Sequence, residues 1–538
     1  MQHAAELTRQ LSAALHLQRR REGLRLLTDA EAQIAKVGPE TPEAARLLLL
    51  IAQWVDIGFR DYRLLDTLLK RFPQQYRCDL SVEDYLCLRL VEAYRDFAKG
   101  ELDQAIDTLD LVLRTYRDLP NSHHSALAHF WKGRAHRKKG EYEAALNHFV
   151  TARELADTDH DKTFAAIVKV QESWLLFQKG LSREAIKMLD RAESALKTTD
   201  HFIALGNIES ARGRIARRSG EYGKALEYFT RAVAVYARRD PNHVNVARTL
   251  VNAAHVHRLL ALQMRKRIDT KASVVRTRPR ASSQSSASGA GPLTRYDQQW
   301  QQGVGALKQA QEIYSLHANF DGIGKVMLNL GHLYLDRGDI ERASKEASQA
   351  RQIGIEQNDQ ILQARAHTLE AAIENAHIEE ETGEDVDLAV HANLALQHSE
   401  EALALARHTQ NRPLLAGACI ARGMTAANDF FQDWETARRC ASEATLLIGP
   451  GETDHLLEDL ASLKSKTVRA SGINDTLRSW SEGLVGNKTF QQIAEEFAEI
   501  VIPKVWLREG RKVSRVASSL SVSPKKIRRI LRNSGQLD

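Results

Sequence analysis

The chain has little of what builds cross-linked or β-rich proteins. Four cysteines (Cys78, Cys87, Cys419 and Cys440) stand among 538 residues with no CxxC spacing, too few for a disulfide framework. They read as small buried hydrophobes in a reducing compartment. Aromatic residues make up 6% and there are 11 prolines, which starves sandwiches and barrels of strand-forming side chains and turns. No apolar run approaches the ~18 residues a membrane helix needs; Leu47–Ala52 stops within two turns. Met1–Arg20 has scattered charges and no apolar core of a signal peptide. These absences predict a cytoplasmic chain without membrane contact.

Catalytic signatures are missing as well. No GxxxxGK[ST] loop occurs, and Gly322–Lys325 (GIGK) lacks its first glycine. Neither HExxH nor GxSxG is present. The 20 histidines are dispersed. His123-His124 reads as a loop pair. His255 and His257 cannot share a helical face, and His391 and His398, two turns apart, are too loose for a ligand pair without others. The acidic stretch Glu379–Asp387 lacks EF-hand spacing and reads as a solvated loop. The expectation is a protein that is not an enzyme and holds no cofactor and no metal.

What is abundant is helix-forming: Ala, Leu, Arg, Glu and Gln dominate. With 43% hydrophobic and 27% charged residues the chain buries a core, but 538 residues exceed one globular core at ~100–200 residues per domain. An all-α chain of many short units follows. The net charge of +6 is uneven: Lys504–Asp538 has ten basic and two acidic residues, and Arg265–Arg295 has eight and one, leaving the remainder at 6 − 8 − 7 = −9. Two basic segments on an acidic body point to an anionic partner, nucleic acid first.

Gly100, Gly140, Gly180 and Gly220 recur every forty residues. Seven before each stand Ala93, Gly133, Ser173 and Gly213. Five after come Ala105, Ala145, Ala185 and Ala225, then Leu109, Phe149, Leu189 and Phe229, then Val112, Ala152, Ala192 and Ala232. The small residue lets a second helix approach, the glycine ends the first helix in a left-handed conformation, and the spacing i, i+4, i+7 marks one face of the second helix. Each unit is a helical hairpin that buries its apolar face only by stacking on the next.

The unit resembles a tetratricopeptide repeat, best seen in Leu330-Gly331, Tyr334, Gly338, Ala343 and Ala350. That repeat has ~34 residues; forty implies longer helices, and the pattern's leading Trp and closing Pro are mostly absent. Leu65 and Leu69 extend the columns upstream, and Gly23-Leu24 begins a degenerate cap. Downstream, pairs resume at Tyr296–Ile313, Lys325–Glu356, Gln360–His408 and Leu414–Ile448, with Leu456–Val468 closing. About nine pairs cover 1–470 as an α-solenoid, interrupted by a basic Ser/Ala/Gly-rich insertion, 270–293, expected to be disordered. The insertion is either an arm for an anionic partner or a tolerated solvated excursion. Residues 471–486, glycine-bearing, read as a linker to a small domain at 487–538.

In that domain Val516, Ala517 and Leu520 share one helix face, Ser521–Ser523 breaks the pattern, and Ser523 and Pro524 suit the N-cap and first position of a second helix. Ile527, Ile530 and Leu531 then face a core. Two short helices joined by a three-residue turn are the layout of a helix-turn-helix. Lys525, Lys526, Arg528, Arg529 and Arg532 stand on the second helix away from its apolar face, offered to a phosphate-lined groove. Lys512 and Arg515 lie where they would meet flanking backbone, and Ser523 joins them at the cap. A basic helix bound to acidic protein is the alternative. The segment looks like the C-terminal factor-for-inversion-stimulation type of helix-turn-helix of bacterial regulators, matching at Val522, Ile527, Arg528, Arg529, Leu531, Arg532 and Gly535. The resemblance implies DNA contacts at Arg528, Arg529 and Arg532. It departs at Ser521, where that family has a turn glycine, and at Pro524, where it has a polar base-reading residue. Upstream, Phe490, Ile493, Ala494, Phe497, Ile500 and Val501 form a stripe ending at Pro503, either packing the small domain or making a homodimer seam.

The expected function is a DNA-binding transcriptional regulator whose solenoid receives a protein or peptide on its concave surface. The alternative is a scaffold whose basic tail binds protein or mediates oligomerisation.

Overall fold

A computed structural model describes residues 2–17, 19–116, 122–276, 292–380, 388–448, 455–470, 480, 488–533 and 536–537. Among these every regular element is α-helical, without a strand. The chain divides into two compact units, Met1–Leu463 and Lys464–Asp538.

The first unit opens with α1 (Gln2–His16), α2 (Arg20–Asp29), α3 (Glu31–Ile34), α4 (Ala44–Asp56), α5 (Tyr62–Leu69) and α6 (Gln74–Cys78). Hairpins follow: α7 (Val82–Lys99) with α8 (Leu102–Tyr116), α9 (Ser122–Lys139) with α10 (Tyr142–Thr158), α11 (Lys162–Gln178) with α12 (Ser182–Leu196), and α13 (Phe202–Arg218) with α14 (Tyr222–Ala237). Then come α15 (Val244–Arg276) with α16 (Pro292–Leu316), α17 (Phe320–Asp336) with α18 (Ile340–Glu356), α19 (Gln360–Glu380) with α20 (Leu388–Arg407), and α21 (Arg412–Ala426) with α22 (Trp434–Leu447). Helix α23 (His455–Ala470) follows and crosses into the second unit.

The forty-residue columns are the hairpin corners. Gly100, Gly140, Gly180 and Gly220 have φ of 98°, 87°, 82° and 75°, the left-handed region where a Cβ is costly. At each corner the next N–H bonds back to a carbonyl five residues earlier: Glu101 to Asp96, Glu141 to His136, Leu181 to Leu176 and Glu221 to Ala216, all at 2.9 Å. This closes each first helix in a Schellman turn. The alanine, Leu/Phe and Val/Ala columns of the second helices are all buried, and Leu65 and Leu69 are buried in the same manner upstream.

Four expectations are corrected in this unit. Helix α15 runs through Arg276 and α16 starts at Pro292, so the ends of the 270–293 insertion are helical. Extending a packed helix adds one bond per residue fixed, whereas starting one is costly. Residues 277–291 lie outside the described residues, as do 381–387 of the acidic stretch, whereas Glu379 and Glu380 belong to α19. His123-His124 is no loop pair but the first turn of α9. Cys87, Cys419 and Cys440 are buried, but Cys78 is exposed.

Successive turns of the solenoid also touch. Asp200 accepts the backbone N–H groups of Arg20 and Arg21 at 2.6 and 2.8 Å. The Gln410 N–H donates to the Gly140 carbonyl at 3.1 Å, and its amide oxygen accepts the Glu143 N–H at 2.7 Å. The superhelix therefore closes on itself across 180 residues at one seam and 270 at the other.

In the second unit, the expected linker 471–486 lies outside the described residues apart from Trp480. Helices α24 (Phe490–Arg508), α25 (Val513–Leu520) and α26 (Pro524–Asn533) surround one core of Ile502, Trp506, Val516, Ile527, Ile530 and Leu531. Helix α24 does not stop at Pro503, which sits inside it. The proline forfeits one hydrogen bond, and the packing of Ile502 and Trp506 on either side of it outweighs that loss. The core is made by this last part of α24, while Phe490 and Phe497 of the upstream stripe are 85% and 50% exposed.

Candidate functional site

The first unit encloses a cavity of about 1170 Å³. Its walls come from α1, α2, α4, α5, α7, α9, α11, α13, α15 and α17, and none of its lining residues lies on α8, α10, α12 or α14. In the hairpins from α7 to α14 the first helix thus faces inward and its partner outward. The repeat carries polar and aromatic residues into this wall in register: Arg134, Trp174 and Arg214 follow one another at forty-residue intervals.

Several cations of the wall pair with acids, among them Arg46 with Glu83, Arg60 with Glu31 and Lys99 with Asp66, whereas Arg137, Arg214 and Arg248 have no carboxylate partner among the described residues. Arg134 pairs with Asp56 at 2.5 Å, and Asp56 also accepts Trp131 Nε1 and Tyr94 OH at 3.2 Å each. Arg137 instead lies over the Trp174 ring, 5.2 Å from its centroid. Arg248 donates to Asn207 Oδ1 at 2.6 Å, which also accepts Tyr236 OH at 2.8 Å. Arg214 Nε is buried with no hydrogen-bond partner. Burial, then the repulsion of neighbouring arginines, lowers both Arg137 and Arg214 to about 9. A low-dielectric wall that gathers uncompensated guanidinium groups favours a desolvated anion. Three histidines of the wall are held neutral at pH 7: burial holds His124 and His243 at about 4 and pushes His201 well below its ordinary value.

The second unit places the cations expected from the sequence. Ser523 Oγ accepts the Lys526 N–H at 3.3 Å, capping α26. Ser521 has φ 51° and ψ 38°, a left-handed residue ending α25. Ser523, Lys525, Lys526, Arg528, Arg529 and Arg532 line one depression of about 520 Å³. Lys512 and Arg515 are exposed on α25 and its cap but do not join that depression. Two of its cations are already engaged: Glu495 of α24 takes Lys526 Nζ at 3.0 Å and also pairs with Arg529. Gly535 lies outside the described residues.

Sequence reasoning missed Glu495 and the cavity arginines. The register of Arg134 and Arg214 with the glycine columns was the available signal for the latter.

Comparison with known proteins agrees on the fold. The tetratricopeptide repeat family model matches residues 205–263. The structure of a Rap protein complexed with competence and sporulation factor is similar over 76% of this chain and 100% of that one, at 11% identity and a TM-score of 0.50. The apo quorum sensor NprR from B. thuringiensis (14% identity, 83% and 99% covered, TM-score 0.44) and yeast Tom70 (11% identity, 89% and 92% covered, TM-score 0.40) are more distant in shape. No curated protein matches the chain. The chain carries tetratricopeptide repeats, and its first unit is an α-solenoid of that type. No helix among the described residues is long and apolar enough to cross a membrane.

Proposed function

We propose that this chain is a cytoplasmic transcriptional regulator in which the solenoid cavity receives a peptide and the C-terminal helices bind DNA as a helix-turn-helix. The observation that carries the reading is the cavity itself, built from inward helices and carrying Arg137 and Arg214 without carboxylate partners. An extended peptide with an acidic side chain or a free C-terminus supplies the missing charge. The Rap protein of similar fold was solved with competence and sporulation factor, which supports a ligand-receiving role for such a frame. The helix-turn-helix reading rests on the capped, cationic α26 and its shared core with α24 and α25. The same reading assigns the chain no chemical reaction. Partner binding biases whether the terminal unit engages DNA, by population shift between two states.

The test uses the full chain. Acidic and charge-reversed synthetic peptide pools are screened by thermal shift against wild type and Arg214→Met. DNA binding is followed by gel shift with genomic fragments across a salt series, with Arg528→Ala/Arg529→Ala in parallel. The reading predicts stabilisation by the acidic pool that Arg214→Met loses, and DNA affinity that falls steeply with salt and disappears in the double variant. DNA affinity unchanged in that variant, or absent in the parent, favours a scaffold.

A further inference from the structure

Helices α19 and α20 form an antiparallel hairpin whose inner seam is unusually rich in His and Glu. Toward one end, His391 Nδ1 meets Glu374 Oε2 at 2.6 Å, with the His377 ring stacked 4.5 Å away. Two turns along, three possible ligand atoms converge. His367 Nδ1 and His398 Nδ1 are 3.0 Å apart, and Glu370 Oε2 lies 3.5 Å from the first and 3.4 Å from the second. Tetrahedral Zn2+ with ligands at about 2.0–2.1 Å sets its donors roughly 3.3 Å from one another. The three observed edges bracket that value.

Glu370 is 7% exposed, and its Oε2 has no hydrogen-bond partner. Its other oxygen accepts Arg351 Nε at 3.0 Å. That bond fixes the carboxylate and leaves Oε2 aimed between the two imidazoles, as an outer-shell partner orients a metal ligand. A buried carboxylate oxygen with nothing to bond is costly, and a cation at the centre of this triangle removes the cost. A second imidazole pair, His129 and His148, approaches equally closely at 2.9 Å. Among the described residues, however, only the His367, Glu370 and His398 group brings three such ligand atoms together. The earlier pair is thus an internal control with two donors and no third.

We propose that His367, Glu370 and His398 form a Zn2+ site that ties α19 to α20. Two neutral imidazole nitrogens and one carboxylate oxygen are the donor set this borderline-soft ion takes. Three protein ligands leave the fourth position to water. The site lies apart from the cavity residues and does not depend on the ligand or DNA reading.

The experiment uses the full chain, stripped with chelator and dialysed, then titrated with Zn2+ by calorimetry. Co2+ serves as a spectroscopic stand-in, whose visible absorption is strong when four-coordinate and weak when six-coordinate. The site predicts one Zn2+ per chain, a chelator-reversible rise in thermal midpoint, and a four-coordinate Co2+ spectrum. His398→Gln and Glu370→Gln each weaken binding at least ~10-fold, while His129→Gln binds as wild type. If a variant misfolds by circular dichroism, the wild-type stoichiometry and Co2+ spectrum still decide. No saturable binding by wild type, equal binding by folded His398→Gln, or a six-coordinate spectrum would overturn the site and leave a hydrogen-bonded imidazole pair.

Discussion

Gly213 lies directly against the ring of Phe229: a Cβ on the glycine would fall 2.6 Å from Phe229 Cε1. Two repeats earlier, Gly133 meets Phe149 in the same way, at 2.7 Å. In the alternate repeats the larger Ala93 and Ser173 are matched by the smaller Leu109 and Leu189. The two columns therefore trade volume across the hairpin, glycine with phenylalanine and a larger small residue with leucine.

This exchange predicts a coupled pair. Gly213→Ala should destabilise the solenoid by about 1–3 kcal/mol through overpacking. Adding Phe229→Leu should recover much of that loss, with a coupling of about 1 kcal/mol or more in a double-mutant cycle read by urea unfolding. Additive effects would mean the ring and the glycine do not share the space.

Acid should weaken the solenoid before its carboxylates titrate. His124 and His243 are held at about 4, against an ordinary 6.5, by burial and neighbouring cations. Between those values the unfolded chain binds protons that the folded chain refuses, so stability is full above about pH 7 and falls as pH drops toward 4. The loss is on the order of 2 kcal/mol per imidazole after allowance for partial exposure. Denaturation midpoints at pH 7.5, 6 and 5 check this, and His124→Gln/His243→Gln should flatten the slope.

Ser521 pays for a left-handed turn. Replacing it with glycine should stabilise the terminal unit by about 1 kcal/mol, while Ser521→Ala should not stabilise it. Hydrogen exchange at the amides of α25 and α26 in the full chain reads the difference. Faster exchange in the glycine variant would contradict the strained conformation.

Glu495 restrains the cationic helix by holding Lys526 and Arg529. If α26 docks on phosphates, Glu495→Gln should tighten DNA binding and steepen the dependence of log K on log salt by the equivalent of about one to two phosphate contacts, each ~0.9 in slope. Arg528→Ala should reduce the slope by about one contact. Anisotropy titrations at four salt concentrations distinguish these outcomes.

The hairpin corners were legible because everything that defines them lies within about twenty residues: a left-handed glycine, a small residue one side and an apolar face on the other. The capped start of α26 was legible for the same reason, since Ser523 and Pro524 act on the next turn of their own helix. Features assembled across the chain were not. Arg137, Arg214 and Arg248 face one cavity from three different hairpins, and Glu495 reaches α26 from another helix. His398 looked ligand-poor because its partners, His367 and Glu370, come from the preceding helix. Pro503 misled for a related reason: local propensity argues for a break, but Ile502 and Trp506 are committed to a core formed by residues further along.

The backbone bonds from Arg20 and Arg21 to Asp200 and from Gln410 to Gly140 bear on how the repeats come apart. An open array with only nearest-neighbour contacts frays from its ends and melts piecewise. Here the first helices are latched to the middle of the array and the later hairpins to an earlier one, so neither terminus peels away without breaking a bond elsewhere. Melting of the first unit accordingly approaches a single concerted step.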